Sequence, residues 1–189
     1  MAEFPAPHVL LPGIDLVDLD QARRCMDACA ARCGGIDVLV NIAGGFAWQT
    51  LADGDVNTWE RLFDMNLRTA VVATKAALPH LRARGAGRIV NIGAGAAARA
   101  AAGMGAYAAS KAGVERLTES LAAELKDEGI TVNAILPGTI DTPRNRADMP
   151  DADFSRWVAP EKIADVIAFL ASDAATAVTG AAIRVTGRG

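Results

Sequence analysis

The sequence predicts an α/β fold in which the strands of a mainly parallel sheet alternate with helices. Three short apolar runs rich in β-branched residues, at 36–40, 88–92 and 130–136, have the length and composition of buried parallel strands. Longer segments with helical periodicity separate these runs. With 189 residues, 51% of them hydrophobic, the chain has the size of one domain with a sizeable core, so we expect a single domain over 1–189.

The predicted elements of the first half follow one another with short breaks. They are a strand at 9–11, an amphipathic helix at 19–32, a strand at 36–40, a loop at 46–54 and a helix at 56–84. Pro12-Gly13 is expected to end the first strand, and Gly34-Gly35 to end the first helix. Residues 1–8 contain two prolines and little pattern, which predicts an irregular arm.

The second half continues the alternation of strands and helices. Its predicted elements are a strand at 88–92, a Gly/Ala-rich loop at 93–105, a helix that continues to about residue 128, a strand at 130–136, a polar segment at 143–155, a helix at 160–171 and a strand at 181–185. Gly129 is a typical helix-ending residue, and Pro160 suits the first turn of a helix. The polar segment is a candidate for a mobile lid over a pocket.

Composition and charge exclude several classes of protein. A formal net charge of −3 gives no basic footprint for nucleic acid, so no such partner is expected. The sequence has no apolar run long enough to cross a bilayer and no signal-peptide pattern, which predicts a cytoplasmic protein without a membrane partner. Cys25, Cys29 and Cys33 fall at helical spacing without a histidine partner, so we interpret them as half-buried packing residues rather than a metal site.

The stretch Gly105-Ala106-Tyr107-Ala108-Ala109-Ser110-Lys111 contains a pair of residues with a chemical use. Tyr107 and Lys111 are four residues apart in a predicted helix, so their side chains lie on one face, about one turn apart. We expect the ammonium to favour the phenolate and so to lower the pKa of Tyr107. Such a phenol is able to exchange the proton that accompanies hydride transfer to or from a carbonyl or imine. Alone, the pair is equally typical of a solvated surface, so its interpretation depends on the flanking chain.

The flanking motifs give the pair a context. Asn41-Ile42-Ala43-Gly44-Gly45 follows one strand, Asn66 lies within Met65-Asn66-Leu67-Arg68, and Pro137-Gly138-Thr139-Ile140-Asp141-Thr142 follows another strand. In this order and spacing they resemble the short-chain dehydrogenase/reductase family, over nearly all of the chain from about Val9 onward. The resemblance implies a Rossmann-like, doubly wound parallel sheet and an NAD(P)-dependent oxidoreductase with NAD or NADP as cofactor. It also implies a small-molecule substrate and a homodimer or homotetramer, paired through the helices that carry Asn66 and Tyr107.

The resemblance assigns roles to individual residues. Tyr107 is expected to be the proton donor, Lys111 to tune it and to bind the nicotinamide ribose, and Asn66 to hold a water that links Lys111 to solvent. The residues expected to bind the cofactor are Asp15, Asn41, Ala43, Gly44, Gly93, Pro137, Gly138, Thr139 and Thr142. Asp15 is expected near the adenine, although an acid at a helix N-terminus is an equally good interpretation of this segment. Trp48, Phe154 and Trp157 are expected either to line an aromatic pocket or to pack as lid anchors.

Two departures from the family bear on activity. The glycine-rich turn that cradles a dinucleotide pyrophosphate on backbone N–H groups is absent from the sequence, and the chain starts near the family's third strand. We therefore expect a domain truncated at its N-terminus, without the first β-α-β unit of at least about 30 residues. The second departure is Ala94, which stands thirteen residues before Tyr107, where the family has a catalytic serine. A methyl group cannot donate a hydrogen bond to a substrate carbonyl, so ordinary ketone chemistry should be weakened.

One branch of the family, the dihydropteridine reductases, accounts for the missing serine. The chain is similar to that branch in Ala43-Gly44-Gly45-Phe46, in Gly93-Ala94-Gly95-Ala96-Ala97 and in the long irregular run over 140–157. The branch reduces a quinonoid pterin, an electrophilic substrate that needs little carbonyl polarisation. The first hypothesis is thus hydride transfer to a carbonyl, imine or quinonoid (pterin-like) substrate. The alternative is a cofactor-free scaffold that acts as a binding partner or as a simple acid-base catalyst.

Overall fold

The sheet of this chain consists of four parallel strands. The computed structural model describes residues 8–188. Within that part of the chain the strands are β1 (Val38–Asn41), β2 (Gly87–Ile92), β3 (Ile130–Pro137) and β4 (Ala182–Val185). Their order in space is the same as their order along the chain. The α/β parallel fold predicted from the sequence is confirmed, and all four strands fall within a few residues of their predicted positions.

The helices lie between these strands. They are α1 (Leu19–Cys33), α2 (Val56–Phe63), α3 (Thr69–Ala83), α4 (Gly105–Leu125), α5 (Pro143–Asp148) and α6 (Pro160–Ala171). A π-helical turn, Asp64–Arg68, joins α2 to α3, and short 3₁₀ turns are formed by Gly95–Ala97, Lys126–Glu128, Phe154–Arg156 and Asp173–Ala175. No helix within residues 8–188 combines the length and the apolar character that a bilayer crossing requires.

Local signals explain where several helices begin and end. The Asp18 carboxylate accepts hydrogen bonds from the backbone N–H groups of Asp20 and Gln21, so Asp18 is the N-cap of α1. Gly34 ends α1 in the left-handed conformation, with φ 79°, and Gly129 ends the α4 segment in the same way, with φ 72°. Pro160 occupies the first turn of α6, where its missing N–H has no intrahelical acceptor.

Helices cover both faces of the sheet. On one face, Leu39, Ile89 and Val132 pack against α3 and α4 through side chains such as Leu81 and Leu125. On the other face, Val90 and Ile135 pack against α6 through Ile163 and Leu170. The β1–β2 and β2–β3 connections therefore cross one face and the β3–β4 connection crosses the other. Because the strand order advances in one direction, the last connection has the opposite handedness to the first two.

One prediction about local structure is wrong, and the structure adds detail to two others. The strand predicted at 9–11 is absent: these residues have no regular structure, because they form no hydrogen-bonded ladder with the open edge of β1. The helix predicted over 56–84 is continuous in space but contains the π-helical turn at Asp64–Arg68. The polar segment at 143–155 holds a short helix, α5, and a 3₁₀ turn. Residues 1–7 of the predicted arm lie outside the described residues.

Candidate active site

Lys111 is a buried cation near the carboxyl ends of β1 and β2. It is only 5% exposed, and its ammonium donates a 2.8 Å hydrogen bond to the carbonyl oxygen of Ile92, the last residue of β2. No other acceptor for this ammonium is found within residues 8–188, so two of its three N–H donors have no protein partner. Burial lowers the pKa of Lys111 from 10.5 to about 8. A buried, underbonded ammonium fits a ligand that brings hydroxyl groups.

Tyr107 lies one turn before Lys111 on α4 and is half-buried. Its ring meets the ring of Phe46 edge to face, with the ring centroids 5.0 Å apart and the planes at 84°. Burial raises the pKa of Tyr107 above its ordinary value of 10.0. The lowering of the Tyr107 pKa that we expected from Lys111 is not seen, because loss of hydration outweighs any effect of an ammonium that is itself directed at Ile92.

Asn66 lies in the π-helical turn and is 2% exposed. Its side-chain oxygen accepts from the backbone N–H of Gly45 at 2.8 Å, and its amide donates to the carbonyl oxygen of Gly45 at 3.1 Å. The second amide hydrogen goes to the Ser110 hydroxyl at 2.9 Å. Both side-chain donors of Asn66 are therefore used within the protein. The water that Asn66 was expected to hold remains a prediction.

Gly44 must be a glycine because the site closes tightly around it. A Cβ atom at this position would lie 2.7 Å from the Asn66 side-chain oxygen and 3.2 Å from the Lys111 ammonium nitrogen. The side chains of Asn66 and Lys111 therefore both lie close to the Gly44 backbone. The turn after β1 thus lies directly against the two polar groups.

Asn41 takes part in a buried polar network beneath the site. Its amide donates to Thr74 of α3 at 3.1 Å and to Asn91 of β2 at 2.8 Å. Asn91 in turn donates to Thr118 of α4 at 2.9 Å, and Asn91 is fully buried. Asn41 thus ties adjacent strands together, and its side-chain donors are used inside the protein rather than directed at a cofactor.

The other residues expected to bind the cofactor follow β2 and β3. Gly93 donates its N–H to Ile135 and is buried, and Gly138 donates its N–H to Val185. Pro137 is the last residue of β3, and Thr139 is exposed. Thr142 caps α5 through a hydrogen bond from the N–H of Asn145 at 3.1 Å. These residues share the carboxyl edge of the sheet with Lys111, where ligands of open α/β sheets bind.

Asp15 and Ala43 are exposed. The Asp15 carboxylate accepts from the N–H of Val17 at 2.9 Å, a local turn contact, while Asp18 takes the role of helix N-cap. The alternative interpretation, an acid at a helix N-terminus, is therefore confirmed for Asp18, whereas the contact of Asp15 with adenine remains a prediction.

The aromatic residues form two separate groups. The Trp48 indole donates to the carbonyl oxygen of Ala102 at 3.0 Å and packs on Gly103. Phe154 and Trp157 pack on one another with ring centroids 4.7 Å apart, and the guanidinium of Arg146 lies over the Phe154 ring. Phe154 and Trp157 therefore act as anchors of their own segment, whereas Trp48 and Phe46 belong to the loop beside Tyr107.

The described residues fit one end of a nicotinamide dinucleotide. The two unused donors of Lys111 and the Tyr107 phenol suit the nicotinamide ribose and its reacting partner. None of the connections from β1, β2 and β3 to the following helices contains the Gly-x-x-x-Gly-x-Gly turn that the family uses to hold a pyrophosphate. Ala94 is buried, 6% exposed, and supplies no hydroxyl at the family's serine position.

Two residues that sequence reasoning did not place in the site contact its members directly. Phe46 contacts Tyr107, and the Ser110 hydroxyl donates to the carbonyl oxygen of Tyr107 at 2.8 Å while accepting from Asn66. A serine three residues after Tyr107 in a helix is a signal for such a backbone contact. The contact of Phe46 is long-range, and nothing in its local sequence indicates it. Two grooves of about 450 and 510 Å³ are lined by neither Tyr107 nor Lys111; both border α2, and the first lies between α2 and α4.

Comparisons with known proteins give one consistent result. A family model described as Enoyl-(Acyl carrier protein) reductase matches residues 2–187. A cis-4-hydroxycyclohexanecarboxylate dehydrogenase of Sinomonas cyclohexanicum is 40% identical over 92% of this chain and 73% of its own length. A trans-4-hydroxycyclohexanecarboxylate dehydrogenase of the same organism is 34% identical over 94% and 70%. The structure of a short-chain type dehydrogenase/reductase from Mycobacterium ulcerans superposes with a TM-score of 0.87 at 31% identity, covering 92% of this chain and 67% of that one.

Proposed function

This chain belongs to the short-chain dehydrogenase/reductase family of oxidoreductases, and from that premise we propose that it transfers hydride from NADH or NADPH to a carbonyl, imine or quinonoid substrate, with Tyr107 as the proton donor. One observation carries the proposal. Lys111 is a 5% exposed ammonium that uses one of its three donors, one helical turn from the only tyrosine of the chain. Such a group costs folding free energy, which favours a functional role.

The chain's own residues would act in distinct ways. Lys111 would donate its two unused N–H groups to the nicotinamide ribose hydroxyls and so orient that end of the cofactor. The bound nicotinamide supplies the hydride. The raised pKa of Tyr107 keeps its phenol protonated near neutral pH, as a proton donor for reduction must be. Asn66 would fix the turn at Gly45, and Gly44, Pro137, Gly138, Thr139 and Thr142 would border the cofactor.

The substrate class has two candidates. The long run over 140–157 and the missing serine at Ala94 favour a quinonoid pterin-like substrate, which needs little polarisation. The two similar Sinomonas proteins are dehydrogenases of ring alcohols that carry a carboxylate, which favours a cyclic ketone for this chain. We propose the electrophilic quinonoid substrate first, because Ala94 removes the hydroxyl that an ordinary ketone would use.

A homodimer or homotetramer is also part of the proposal. The groove of about 450 Å³ between α2 and α4 is lined by Trp59, Phe63, Ala106 and Ala109, with Glu60 and Asp64 beside them. Phe63 is 51% exposed there. An apolar face of this kind on the helices next to Asn66 and Tyr107 is consistent with the pairing that the family resemblance implies. A cytoplasmic location likewise remains a proposal from the sequence.

The alternative function, a cofactor-free scaffold with a binding role or a simple acid-base activity, keeps one observation in its favour. The sequence contains no glycine-rich turn that would hold the pyrophosphate of a dinucleotide on backbone N–H groups. This alternative predicts no consumption of NADH or NADPH with any electrophile.

An assay of cofactor oxidation separates the two functions. NADH and NADPH absorbance is followed with a quinonoid dihydropterin, with a ring ketone that carries a carboxylate, and with no substrate, for the wild-type chain and for Tyr107→Phe. We expect oxidation with the quinonoid substrate in the wild type alone. Equal rates for the two proteins, or no oxidation with either substrate, would overturn the proposed function.

A further inference from the structure

We propose that Phe46 is a positioning residue for Tyr107: it holds the tyrosine ring in one orientation and keeps water away from one side of it. The ring centroids are 5.0 Å apart and the planes meet at 84°, an arrangement in which two aromatic rings attract each other. Phe46 is nevertheless 58% exposed, so its contact with Tyr107 is not a consequence of burial in the core. The effect of Phe46 on the Tyr107 ring is independent of the proposed function; only its consequence for proton donation rests on that function.

The backbone that carries Phe46 is fixed on both sides. Immediately before it, Gly45 is bonded through both its N–H and its carbonyl oxygen to the side chain of Asn66. After it, the Trp48 indole donates to Ala102, and the N–H of Gln49 donates to the carbonyl oxygen of Gly103 at 2.9 Å. A side chain at Gly103 would overlap the indole, so this contact is close. The loop therefore holds Phe46 against Tyr107 in a fixed position.

The contacts of this loop join three elements of the fold. Asn66 comes from the π-helical turn, Gly103 precedes α4, and Gly45 follows β1. π-Helical turns inside α-helices are frequent at functional sites, and here the turn directs the Asn66 side chain to the Gly45 peptide rather than to Lys111. Because Asn66 holds the Gly45 peptide, which precedes Phe46, it acts on Tyr107 indirectly, by fixing the position of Phe46.

Charge does not explain the proton affinity of the phenol. The charged groups on α4 and on two of the elements packed against it, α2 and the π-helical turn, are Lys111, Glu115, Arg116, Glu119, Glu124, Glu60, Arg61, Asp64 and Arg68. Burial is the cause of the raised pKa of Tyr107, with no contribution from these groups. Because Phe46 supplies part of that burial, removing it should bring the pKa of Tyr107 closer to 10.0.

Tyr107 is the only tyrosine in the chain, which makes its ionisation directly visible. The phenolate band in the near ultraviolet is titrated in the wild type, in Phe46→Ala, in Phe46→Leu and in the control Leu51→Ala, with Tyr107→Phe as the blank. Leu51 is 79% exposed in the same loop and has no described contact with Tyr107. We expect the pKa of Tyr107 to fall by about 0.5 or more in Phe46→Ala, and by less in Phe46→Leu, which keeps apolar cover. Leu51→Ala should not change it.

A second measurement avoids alkaline unfolding. At about pH 8, nitration of the single tyrosine by tetranitromethane should be about threefold or more faster in Phe46→Ala than in the wild type, because the phenolate fraction rises with the fall in pKa. The inference is overturned if Phe46→Ala keeps the wild-type pKa and nitration rate, or if Leu51→Ala shifts both equally. These outcomes are independent of NADH oxidation, so failure of this inference is distinguishable from failure of the proposed function.

Discussion

Two polar clusters lie side by side where α3 and α4 meet the sheet, and they differ in charge. The sheet cluster consists of Asn41, Thr74, Asn91 and Thr118, and the site cluster consists of Asn66, Tyr107, Ser110 and Lys111. Within residues 8–188, no buried side-chain nitrogen or oxygen of either cluster lacks a partner. The sheet cluster contains no charged group, whereas the site cluster holds the Lys111 ammonium, which keeps two donors without a protein acceptor.

This difference separates scaffold from site. A neutral buried network whose members are hydrogen-bonded to one another fixes the relative position of the elements that it joins, and its loss lowers the stability of the fold. A buried cation with unused donors costs stability in the free protein and offers those donors to a ligand. We therefore expect substitutions in the site cluster to act mainly on turnover and binding, and substitutions in the sheet cluster to act mainly on folding.

The largest expected effect is the loss of turnover in Tyr107→Phe. Removing the phenol hydroxyl removes the proton donor, so kcat for reduction should fall about a thousandfold while the affinity for the dinucleotide stays nearly unchanged. Steady-state kinetics with NADH and NADPH, together with a binding titration of the variant, check this. Retention of more than about a tenth of the wild-type kcat would assign the proton donor elsewhere.

In the sheet cluster, Asn91→Ala should destabilise the fold by about 3 kcal/mol. The substitution removes a fully buried amide together with its hydrogen bonds to Asn41 and Thr118, each of which keeps one other partner. Urea unfolding measures the change, and the exposed Asn57→Ala is the matched control, expected within about 0.5 kcal/mol of the wild type. Equal effects of the two substitutions would contradict the structural role of this cluster.

Lys111→Met should remove a pH dependence of stability. The folded-state pKa of about 8 lies below the ordinary 10.5, so between these values the unfolded chain binds more protons than the folded one. The free energy of unfolding of the wild type should therefore rise with pH, by about 2 kcal/mol relative to Lys111→Met between about pH 7 and pH 10. Denaturant unfolding of both proteins at several pH values tests this, and parallel stability curves would show that Lys111 is not desolvated.

The smallest predicted effect comes from Ala94→Ser, which restores a hydroxyl at the family's serine position. Because an added donor stabilises a developing oxyanion, the rate with an ordinary ring ketone should rise about tenfold. The rate with a quinonoid dihydropterin should change by less than about twofold, since that substrate needs little polarisation. An equal rise with both substrates would argue against the preference proposed from Ala94.

The features that sequence predicted well are those with a local cause. The helix at Pro160–Ala171 follows from its proline and its periodicity, and the ends of α1 and α4 follow from Gly34 and Gly129. The α/β class and the shared helix face of Tyr107 and Lys111 follow from spacing alone. Each of these depends on residues that are close in the chain.

The features that sequence predicted poorly depend on distant contacts. The segment 9–11 resembles a strand, but a strand forms only beside another, and this segment pairs with none of the described strands, although β1 has one unpaired edge. The π-helical turn around Asn66 differs from an α-helix by one residue of register, which no periodicity reveals. The predicted direction of the shift in the Tyr107 pKa was wrong, because the spacing of residues shows the neighbouring lysine and not the burial that Phe46 and the surrounding loop impose.

The central claim is that the unused N–H donors of Lys111 bind a nicotinamide ribose. Calorimetric titration with NADH and NADPH tests this claim most directly. At least one of the two dinucleotides should bind the wild type and Tyr107→Phe with similar affinity. It should bind Lys111→Met about tenfold or more weakly, because charge-assisted hydrogen bonds are lost. Absence of binding to the wild type at about millimolar concentration, or equal affinity for Lys111→Met, would contradict the account.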